Sequence, residues 1–477
     1  METIIAQIVT EMVNKIFKRI EEFGLSNLAA LGTVLRKDAD ACVLDVLKAV
    51  IEKTDEVLFE NKSLRRIDHL TVQQRNVPRT LSTVFGELTY RRTYYRQASE
   101  DGPANYLYLT DVIVGVEPYE RISKDLIAEI LSDLESLSYR KASGNHAGYI
   151  TAQTVHNRLL ATEELSSPTE RLEPPENGLD IFADEDHVHM QKKKGEIVPL
   201  VAITEGIENH RTVRPFFLEG YGMSSDALAE NTLAVICERY GTDSLPKIRL
   251  HCDAGSWIRK LQDVLPGAEV YMDEFHIEKY LKKLLNLKEG SKYAQRMRTA
   301  LKQCDWDRFF LYGAELIGLQ DEDRKEKAGK LLSYFYNNLA SIERRMKADE
   351  NGVCGSCTEG QVSHILSERL SRDPLSWSEE GLRKMSSLLV YRKNGNSITP
   401  DHIRVSVSGK RLEEQKLRLQ EDGFERYSSY AKKQTDHFLR KEYDWSLLEP
   451  ACPTYNKIDG TKAILNALGK MRDTLCA

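Results

Sequence analysis

Apolar residues recur at intervals of three and four positions through the first 78 residues, for example in LGTVLRKDADACVLDVLKAVIEKTDEVLFEN. This spacing places the apolar side chains on one face of an α-helix. The segment 1–78 is therefore predicted to be a helical lobe for packing or oligomerisation. Its first turns, METIIAQIVTEMVNKIFKRIEEF, carry charged residues at helical spacing, which indicates an amphipathic helix and not a targeting peptide.

The pattern changes to alternation in the segment 79–118. In TLSTVFGELTYRRTYYRQ, aromatic or β-branched residues alternate with polar ones around Phe85-Gly86-Glu87, which predicts a small β-hairpin. Its second half carries arginines among tyrosines: Arg91, Arg92 and Arg96 beside Tyr94 and Tyr95. A basic and aromatic strand suits a nucleic-acid backbone with stacked bases. The solvated face of an ordinary strand has the same composition, so both interpretations stay open.

The segment 119–165 has the spacing of a helix-turn-helix. A short helix from Tyr139 to Ala142 precedes a break at Gly144, and the last helix is predicted to begin at a Thr151 cap. That helix would place four polar side chains in the major groove of DNA: Gln153, Thr154, Asn157 and Arg158. A plain helical connector would show a similar pattern.

A linker rich in Pro, Ser and Glu, 166–178, precedes a new domain. Three alternating segments follow, LDIFADEDHVHMQ, GEIVPLVAITEGI and RTVRPFFLEGY, with Lys192–Gly195 in the first turn. A helix capped by Ser225 or Asp226 comes next, and then two strand–helix pairs. The order β-β-β-α-β-α-β-α predicts an α/β domain with a ribonuclease-H-like sheet, in which the first and fourth strands are adjacent.

The remaining patterns are mostly helical. Residues 291–350 predict an all-helical, highly charged insertion, and 351–395 would complete the catalytic core. The last segment is charged and weakly periodic, which favours a supporting or DNA-contacting role. The predicted N-terminal domains are a helical lobe (1–78), a hairpin segment (79–118) and a helix-turn-helix region (119–165). They are followed by a catalytic core (176–290), its helical insertion (291–350), the completion of the core (351–395) and a C-terminal helical region (396–477).

Composition narrows the class of protein. The 477 residues are 29% charged and 41% hydrophobic, with no apolar run long enough to cross a bilayer, which predicts a soluble protein of several domains without a membrane partner. A formal charge of -6 argues against a uniformly basic coat, so any DNA surface must be local. The eight cysteines lack the pattern of a secreted disulfide scaffold, which favours a reducing cytoplasm. Cys354 and Cys357 form a C-x-x-C without a second pair, a poor signal for zinc or redox chemistry.

Three carboxylates are placed where phosphoryl-transfer chemistry needs them. Asp184 lies in the first predicted strand, and Asp253 ends the fourth, at the edge where parallel strands open into a crevice. Glu359 opens a helix predicted to lie across the sheet. Carboxylates so placed can hold two divalent ions about 3.5 to 4 Å apart. Mg²⁺ is favoured because the ligands are oxygens, and Mn²⁺ is the other possibility.

Each of these acids has a simpler interpretation. Glu185 and Asp186 compete with Asp184, and Asp186 faces the same way along the strand. Asp253 could instead be a helix cap for the chain from Ser256 onward, and Glu359 could be favoured only by the helix dipole.

Two residues at or just after the end of the fifth predicted strand also have more than one interpretation. Asp273 ends that strand and could cap a helix or act as an auxiliary ligand. His276 could hold a phosphate, order a carboxylate or pack in the core.

Several motifs together resemble the ISLre-two type of bacterial insertion-sequence transposases. They are A-D-E-D-H-V-x-M-Q, H-C-D-A-G-S-W-I, M-D-E-F-H-I-x-K-Y, C-T-E-G-Q-V-S-H-I-L-S-x-R-L and a distal S-W, with F-G-E-L-T-Y-R-R-T-Y-Y-R and S-Y-R-K-A upstream. The resemblance covers most of the chain. It implies a DDE transposase that cuts and rejoins DNA with Mg²⁺ and has a helical insertion before the glutamate.

Carried over by position, the resemblance makes Asp184, Asp253 and Glu359 the metal-binding triad. Four further residues would support the site: Asp273, His276, His364 and Arg369. The expected partners are element ends and target DNA, and pairing two ends favours a dimer or larger homo-oligomer. The competing functions are a ribonuclease-H-like nuclease without strand transfer and a silent, transposase-derived DNA-binding protein.

Overall fold

The computed structural model describes residues 2–440 except 24–26, 99–102, 147–149, 210, 243–245, 254, 349–357, 373–375, 404–406 and 420–422. The protein is mixed α/β with a mixed main sheet. It divides into two compact units, the first formed by Met1–Glu129 with Ile403–Ala477 and the second by Ile130–His402. Within the described residues, no helix has the length and apolar character that a membrane crossing requires.

The first unit combines long helices with a three-stranded antiparallel sheet. Its elements are α1 Glu2–Phe23, α2 Leu28–Glu60, α3 Lys62–Ile67, β1 Leu70–Thr83, β2 Gly86–Gln97, β3 Asn105–Leu107, α4 Leu109–Val114, α18 Val407–Arg418 and α19 Gly423–Arg440, and α5 Lys124–Asp133 continues into the second unit. Its core joins α2, the sheet and both C-terminal helices around Leu58, Tyr95 and Tyr427.

The predicted hairpin is confirmed, but its first strand begins at Leu70 and not near residue 79. Irregular pairing between Val72 and Val77, with Asn76 at a φ of 56°, interrupts the alternation. The first part of β1 therefore contains a run of polar residues and lacks the apolar–polar alternation that identifies a strand.

The second unit holds the main sheet and most of the helices. Its elements up to the end of the sheet are α6 Tyr139–Asn145, α7 Ala152–Leu160, β4 Leu179–Val188, β5 Glu196–Thr204, β6 Ile207–Glu208, β7 Arg211–Thr212, β8 Phe216–Glu219, α8 Ser225–Tyr240, β9 Ile248–Cys252, α9 Ser256–Val264, β10 Glu269–Met272 and α10 Glu274–Leu285. Beyond it are a 3-10 helix Gly290–Lys292, α11 Ala294–Lys302, α12 Trp306–Gly318, α13 Glu322–Asn337, α14 Leu339–Met346, α15 Thr358–Val362, a π-helical turn Ser363–Ser367, α16 Glu368–Leu370, α17 Glu379–Lys393 and a 3-10 helix Pro400–His402.

The main sheet has the strand order β10-β9-β4-β5-β8. Strands β4, β9 and β10 are parallel, whereas β5 is antiparallel to both β4 and β8. The predicted adjacency of the first and fourth strands is confirmed, because β4 pairs with β9.

Two details of the predicted sheet region were wrong. Arg211–Thr212 leaves the main sheet to pair with Ile207–Glu208, because Arg214 at a φ of 44° breaks the segment before β8 begins. The cap of α8 is Ser224, whose hydroxyl accepts a 3.1 Å hydrogen bond from the backbone N–H of Ala227.

Alternate residues of β4 face opposite sides of the sheet. Leu179, Ile181 and Ala183 enter an apolar core that α8 and α9 cover. The even-numbered residues of the strand, which include Asp180, Asp184 and Asp186, face the other side. The sequence alternation therefore puts every aspartate of this strand on one face.

A buried network of charged residues lies on this second face, at the start of β4. Asp180 accepts hydrogen bonds of 2.7 Å from Arg249 and 2.6 Å from His251, and His251 also contacts Arg345 of α14. Burial raises the pKa of Asp180, but the hydrogen bonds from Arg249 and His251 outweigh it and hold that pKa well below its usual range. The network anchors the predicted insertion, which is helical throughout its described part and has its own core around Phe309 and Phe335.

Candidate metal centre

Three aspartates stand in one row across three adjacent parallel strands, directly after the carboxyl ends of β9 and β10 and in the middle of β4. Cys252 of β9 pairs with Ala183 of β4 on one side and with Met272 of β10 on the other. The next residues along the three strands are Asp184, Asp253 and Asp273. The backbone N–H of Asp273 donates a 2.8 Å hydrogen bond to the carbonyl of Cys252, which holds this row in register. The sheet itself therefore brings together acids that are 69 and 20 positions apart in the chain.

Asp184, Asp253 and His276 form a cluster of possible metal ligands in the described residues. One ligand atom from each lies within 4.8 Å of the others. Asp184 and His276 are buried, at 6% and 7% exposed, whereas Asp253 is half-buried at the mouth of the cluster. An ion held here would thus contact both the interior and the solvent side.

Asp253 does not cap the helix that follows it. The N-cap of α9 is Gly255, and no side chain caps that helix. Asp253 Oδ1 instead accepts a 2.7 Å hydrogen bond from the Gly255 N–H, and a Cβ on Gly255 would lie 2.8 Å from the same oxygen. Glycine is needed here because the backbone closely approaches the carboxylate, and this contact fixes the carboxylate at the strand end.

His276 is oriented by Asp273. Its Nδ1 donates a 3.2 Å hydrogen bond to Asp273 Oδ2, which leaves Nε2 directed toward Asp253, 3.9 Å from Oδ2. Burial lowers the pKa of His276, but the Asp273 hydrogen bond and the negative charges of Asp184 and Asp253 outweigh it and raise that pKa. Asp273 occupies the N-cap position of α10, but its side chain does not cap that helix. Its carboxylate instead accepts the hydrogen bond from His276.

Each of the two competitors of Asp184 has a carboxylate oxygen that accepts hydrogen bonds from another part of the chain. Glu185 faces the opposite side of the sheet, where its Oε2 accepts a 2.7 Å hydrogen bond from Trp257 Nε1. Asp186 Oδ1 accepts hydrogen bonds of 2.9 Å from Ser367 and 2.8 Å from Ser371. Among the described residues, Asp184 is thus the member of this trio that joins Asp253.

Glu359 lies on α15, the first part of a continuous helical segment that contacts β4. Its side chain is outside what the structure describes, so its predicted place in the triad stays a prediction. The segment widens to a π-helix at Ser363–Ser367, a rare geometry that often marks functional sites. The C-x-x-C at 354–357 also falls outside the described residues.

Two predicted supporting residues contact groups outside the acidic cluster. His364 is exposed and its Nδ1 lies 3.3 Å from Glu368 Oε1. Arg369 is buried, donates a 3.1 Å hydrogen bond to the carbonyl of Leu134 and lies over the rings of Tyr139 and Trp377. Arg369 therefore fixes the helical segment in the second unit.

The predicted DNA-binding arginines of β2 differ in exposure. Arg91 and Arg96 are exposed, whereas Arg92 is buried in an ion pair with Asp111 and lies over the ring of Tyr108. Burial lowers the pKa of Arg92 to about 10. A buried, paired guanidinium cannot reach a phosphate, so the expectation for Arg92 is corrected to a structural role.

The second helix of the predicted helix-turn-helix begins where expected. Thr151 caps α7 by accepting a 3.1 Å hydrogen bond from the Thr154 N–H. Gln153 and Asn157 are exposed and hydrogen-bonded to each other at 2.8 Å, and Arg158 is half-buried. The exposed face of α7 is polar, as a DNA-reading helix requires, and DNA contact stays a prediction.

Sequence reasoning missed the serines that fasten the helical segment to β4. Ser367 and Ser371 are four positions apart and so share one face of a helix. Paired serines at this spacing are common on helix surfaces, and only the position of the buried Asp186 gives them a role.

The donor set fits a hard divalent cation. Carboxylate oxygens from Asp184 and Asp253 suit Mg²⁺ or Mn²⁺, and an imidazole nitrogen from His276 favours Mn²⁺ over Mg²⁺. A carboxylate hydrogen-bonded to the far nitrogen of a ligating histidine, as Asp273 is here, is the usual second layer of such sites.

Comparison with known proteins places the chain among proteins without an assigned activity. The sequence model of an uncharacterised protein family, UPF0236, matches residues 22–404. UPF0236 protein TTE2489 of Caldanaerobacter subterraneus subsp. tengcongensis is 31% identical over 396 residues, 82% of this chain and 83% of the relative. A second protein of that organism, whose name joins eleven designations from TTE0033 to TTE2212, is 31% identical over 81% of this chain and 82% of its own length. The UPF0236 protein in the vanSb 3' region of Streptococcus gallolyticus is 22% identical over 74% of this chain and 80% of its own.

Proposed function

The chain belongs to the uncharacterised protein family UPF0236, and we propose that it is a DDE-type DNA transposase of the ISLre-two kind, which cuts DNA strands and joins them to new sites. The observation that carries the proposal is the convergence of Asp184 and Asp253 with His276 at the carboxyl edge of a mixed sheet.

The sheet topology supports a ribonuclease-H-like core. Three strands in antiparallel succession, with two parallel strands added beside the first, give the order β10-β9-β4-β5-β8. The fourth strand, β9, ends beside the middle of the first, β4, and carboxylates at that position face a common crevice. The helical segment that bears Glu359 contacts β4, which supports Glu359 as the third acid of the proposed site.

The chain's own residues would hold and orient the reacting groups. Asp184 and Asp253 supply oxygen ligands, and the hydrogen bond from His276 to Asp273 presents Nε2 to the same space. Bound divalent ions would activate a water or a 3′-hydroxyl and stabilise the leaving oxygen of the phosphodiester. The Gly255 N–H keeps Asp253 at the strand end and so limits its rearrangement during the reaction.

The names of the relatives agree with a mobile element. One relative carries eleven designations within one organism, as a sequence present in many copies would. Transposition produces multiple copies of the gene that encodes the transposase. Pairing two element ends would also require at least two copies of this protein, so we propose that it works as a homo-oligomer on DNA.

The test uses a donor plasmid that carries the coding sequence with its natural flanking DNA. We expect the full-length protein to cut this DNA and to join the freed 3′-hydroxyl to a target plasmid only when Mg²⁺ or Mn²⁺ is present. Asp253→Asn should still bind DNA but not cut it, because the substitution removes a charged metal ligand. Asp263→Asn, the same change at an exposed position of α9, is the matched control and should keep full activity.

Each other outcome selects a different function. Cutting without joining by the unsubstituted protein would favour the nuclease, and binding without cutting would favour the silent DNA-binding protein. Retained cutting by Asp253→Asn would overturn the assignment of the site.

A further inference from the structure

A basic groove leads away from the metal centre toward the helical insertion. Two adjoining cavities of about 640 and 440 Å³ both begin at Asp253 and both include Arg259 of α9. The groove continues between α9 and the helices α13 and α14. We define it by its cationic and asparagine side chains: Arg259, Lys327, Lys330, Asn337, Asn338 and Arg344.

The groove is strongly positive in a protein of net charge -6. Its lining has four cationic side chains, and of the described lining residues Asp253 alone carries a carboxylate. Arg259 and Lys327 are exposed and have no ion-pair partner in the described part of the chain. Since neither cation has an ion-pair partner among the residues that the structure describes, their charge is available to an anion.

The other two cations, Lys330 and Arg344, each make one contact with the protein that leaves further N–H donors for an anion. Lys330 pairs with Glu326 at 2.6 Å, but both side chains are more than three-quarters exposed, and such a pair contributes little stability. Arg344 donates a 3.0 Å hydrogen bond to the carbonyl of Val270, which holds its guanidinium at the far end of the groove. Both can therefore turn donors toward an incoming anion without leaving a buried charge unpaired.

The walls favour phosphates over bases. Tyr280 and Tyr334 stack on each other, with ring centroids 3.8 Å apart and planes 7° apart, and the Tyr334 hydroxyl donates to Met272 Sδ at 3.3 Å. Each ring thus covers one face of the other, which reduces the aromatic surface on which a base could stack. Asn337 and Asn338 add amide groups beside the cations, which are donors suited to phosphate and sugar oxygens.

We propose that this basic groove binds the sugar–phosphate backbone of the DNA strand adjacent to the phosphate at the metal centre. The proposal rests on the proposed function, because it takes DNA as the substrate. Arg259 acts as the positioning residue closest to the chemistry, since it lines both cavities with Asp253. The helical insertion would thereby become part of the substrate site.

The test measures binding with metal removed, so that it does not depend on cleavage. Fluorescence anisotropy in EDTA gives the affinity of the full-length protein for a labelled single-stranded oligonucleotide over a series of salt concentrations. Arg259→Gln combined with Lys327→Gln should lower the affinity about tenfold or more, and the salt slope should fall by about 0.7 for each phosphate that the variant no longer neutralises. The matched control is Lys260→Gln with Lys325→Gln, which removes the same charge from the same two helices at residues that do not line the groove.

A second measurement locates the DNA. DNA should slow the alkylation of Lys327→Cys and leave the alkylation of Lys325→Cys unchanged, as followed by peptide mass spectrometry. Equal affinity and equal salt slope in the groove and control variants, or equal alkylation with and without DNA, would overturn the proposal. Loss of binding in the groove variants of a protein that never cuts DNA would uphold the groove and refute only the proposed transposase activity.

Discussion

The carboxylate of Asp186 accepts a 2.9 Å hydrogen bond from the hydroxyl of Ser367 across 181 positions of the chain. This bond, with its companion from Ser371, fastens the helical segment that bears Glu359 to the strand that bears Asp184. The position of the Glu359 backbone beside β4 thus depends on polar contacts made two to three turns further along the segment.

Removal of both serine hydroxyls should destabilise the second unit. In Ser367→Ala with Ser371→Ala, the buried Asp186 loses two donors, and an unsatisfied buried acceptor costs about 1 to 3 kcal/mol. Chemical denaturation measures the destabilisation. Ser363→Ala on the same segment is the control, since it breaks only an exposed bond with Arg372. A destabilisation no greater than that of the control would show that the serine contacts do not hold the segment.

Asp184 and Asp186 should differ in their effect on metal affinity. Asp184→Asn removes a member of the acidic cluster, whereas Asp186→Asn changes a residue bound to serines. Loss of a residue that only supports a metal ligand weakens metal binding by up to about 100-fold. We expect Asp184→Asn to weaken Mn²⁺ binding by more than this and Asp186→Asn to leave Mn²⁺ binding nearly unchanged. Isothermal titration calorimetry measures both. The reverse ranking would make Asp186 the first metal ligand.

Asp273 should act on the metal through His276. In Asp273→Asn the imidazole loses its charged acceptor, and loss of such a partner typically weakens metal binding about 10- to 100-fold. The same Mn²⁺ titration measures this, with Glu274→Gln as the control at the next, exposed position. If His276→Ala then causes no further loss of affinity, the two residues act as one unit. If His276→Ala weakens Mn²⁺ binding as much in Asp273→Asn as in the unsubstituted protein, Asp273 acts independently of His276.

Glu219 should make the protein less stable as pH rises. Burial raises the pKa of Glu219 to about 7, against the hydrogen bonds from Tyr221 and Ser386. The folded state therefore holds a proton that the unfolded chain releases near pH 4.5, so the free energy of unfolding falls by up to about 3 kcal/mol between those values. Glu219→Gln keeps an acceptor and removes the titration.

Denaturation at about pH 5 and about pH 8 compares the two proteins. The gain in stability from Glu219→Gln should be larger at the higher pH. A pH-independent difference would show that Glu219 titrates near its ordinary pKa.

Most of the second unit's architecture could be predicted from local pattern. The strands and helices of the sheet region follow directly from alternation and helical spacing, because each is long or regular enough to satisfy a single period. The exceptions have local causes that composition hides, such as the positive φ at Arg214 and the irregular pairing near Asn76.

The first unit was less predictable. Its short strand β3 and helix α4 were not expected from the sequence, because neither is long enough to establish a period. Arg92 was expected at a DNA surface since its neighbours are basic and aromatic, but the ion pair with Asp111, 19 positions away, buries it. Exposure depends on distant partners, and a local window contains none of them.

The sequence by itself determined which residues can take part in chemistry. The alternation of β4 places Asp184 and Asp186 on the same face, and the end of β9 places Asp253 at the sheet edge, whatever the rest of the protein does. Only the tertiary structure decided between them. The parallel register set Asp184 beside Asp253, and the serines of a distant helical segment took Asp186. Strand period is a property of neighbouring residues, whereas register and side-chain partners come from packing between elements far apart in the chain.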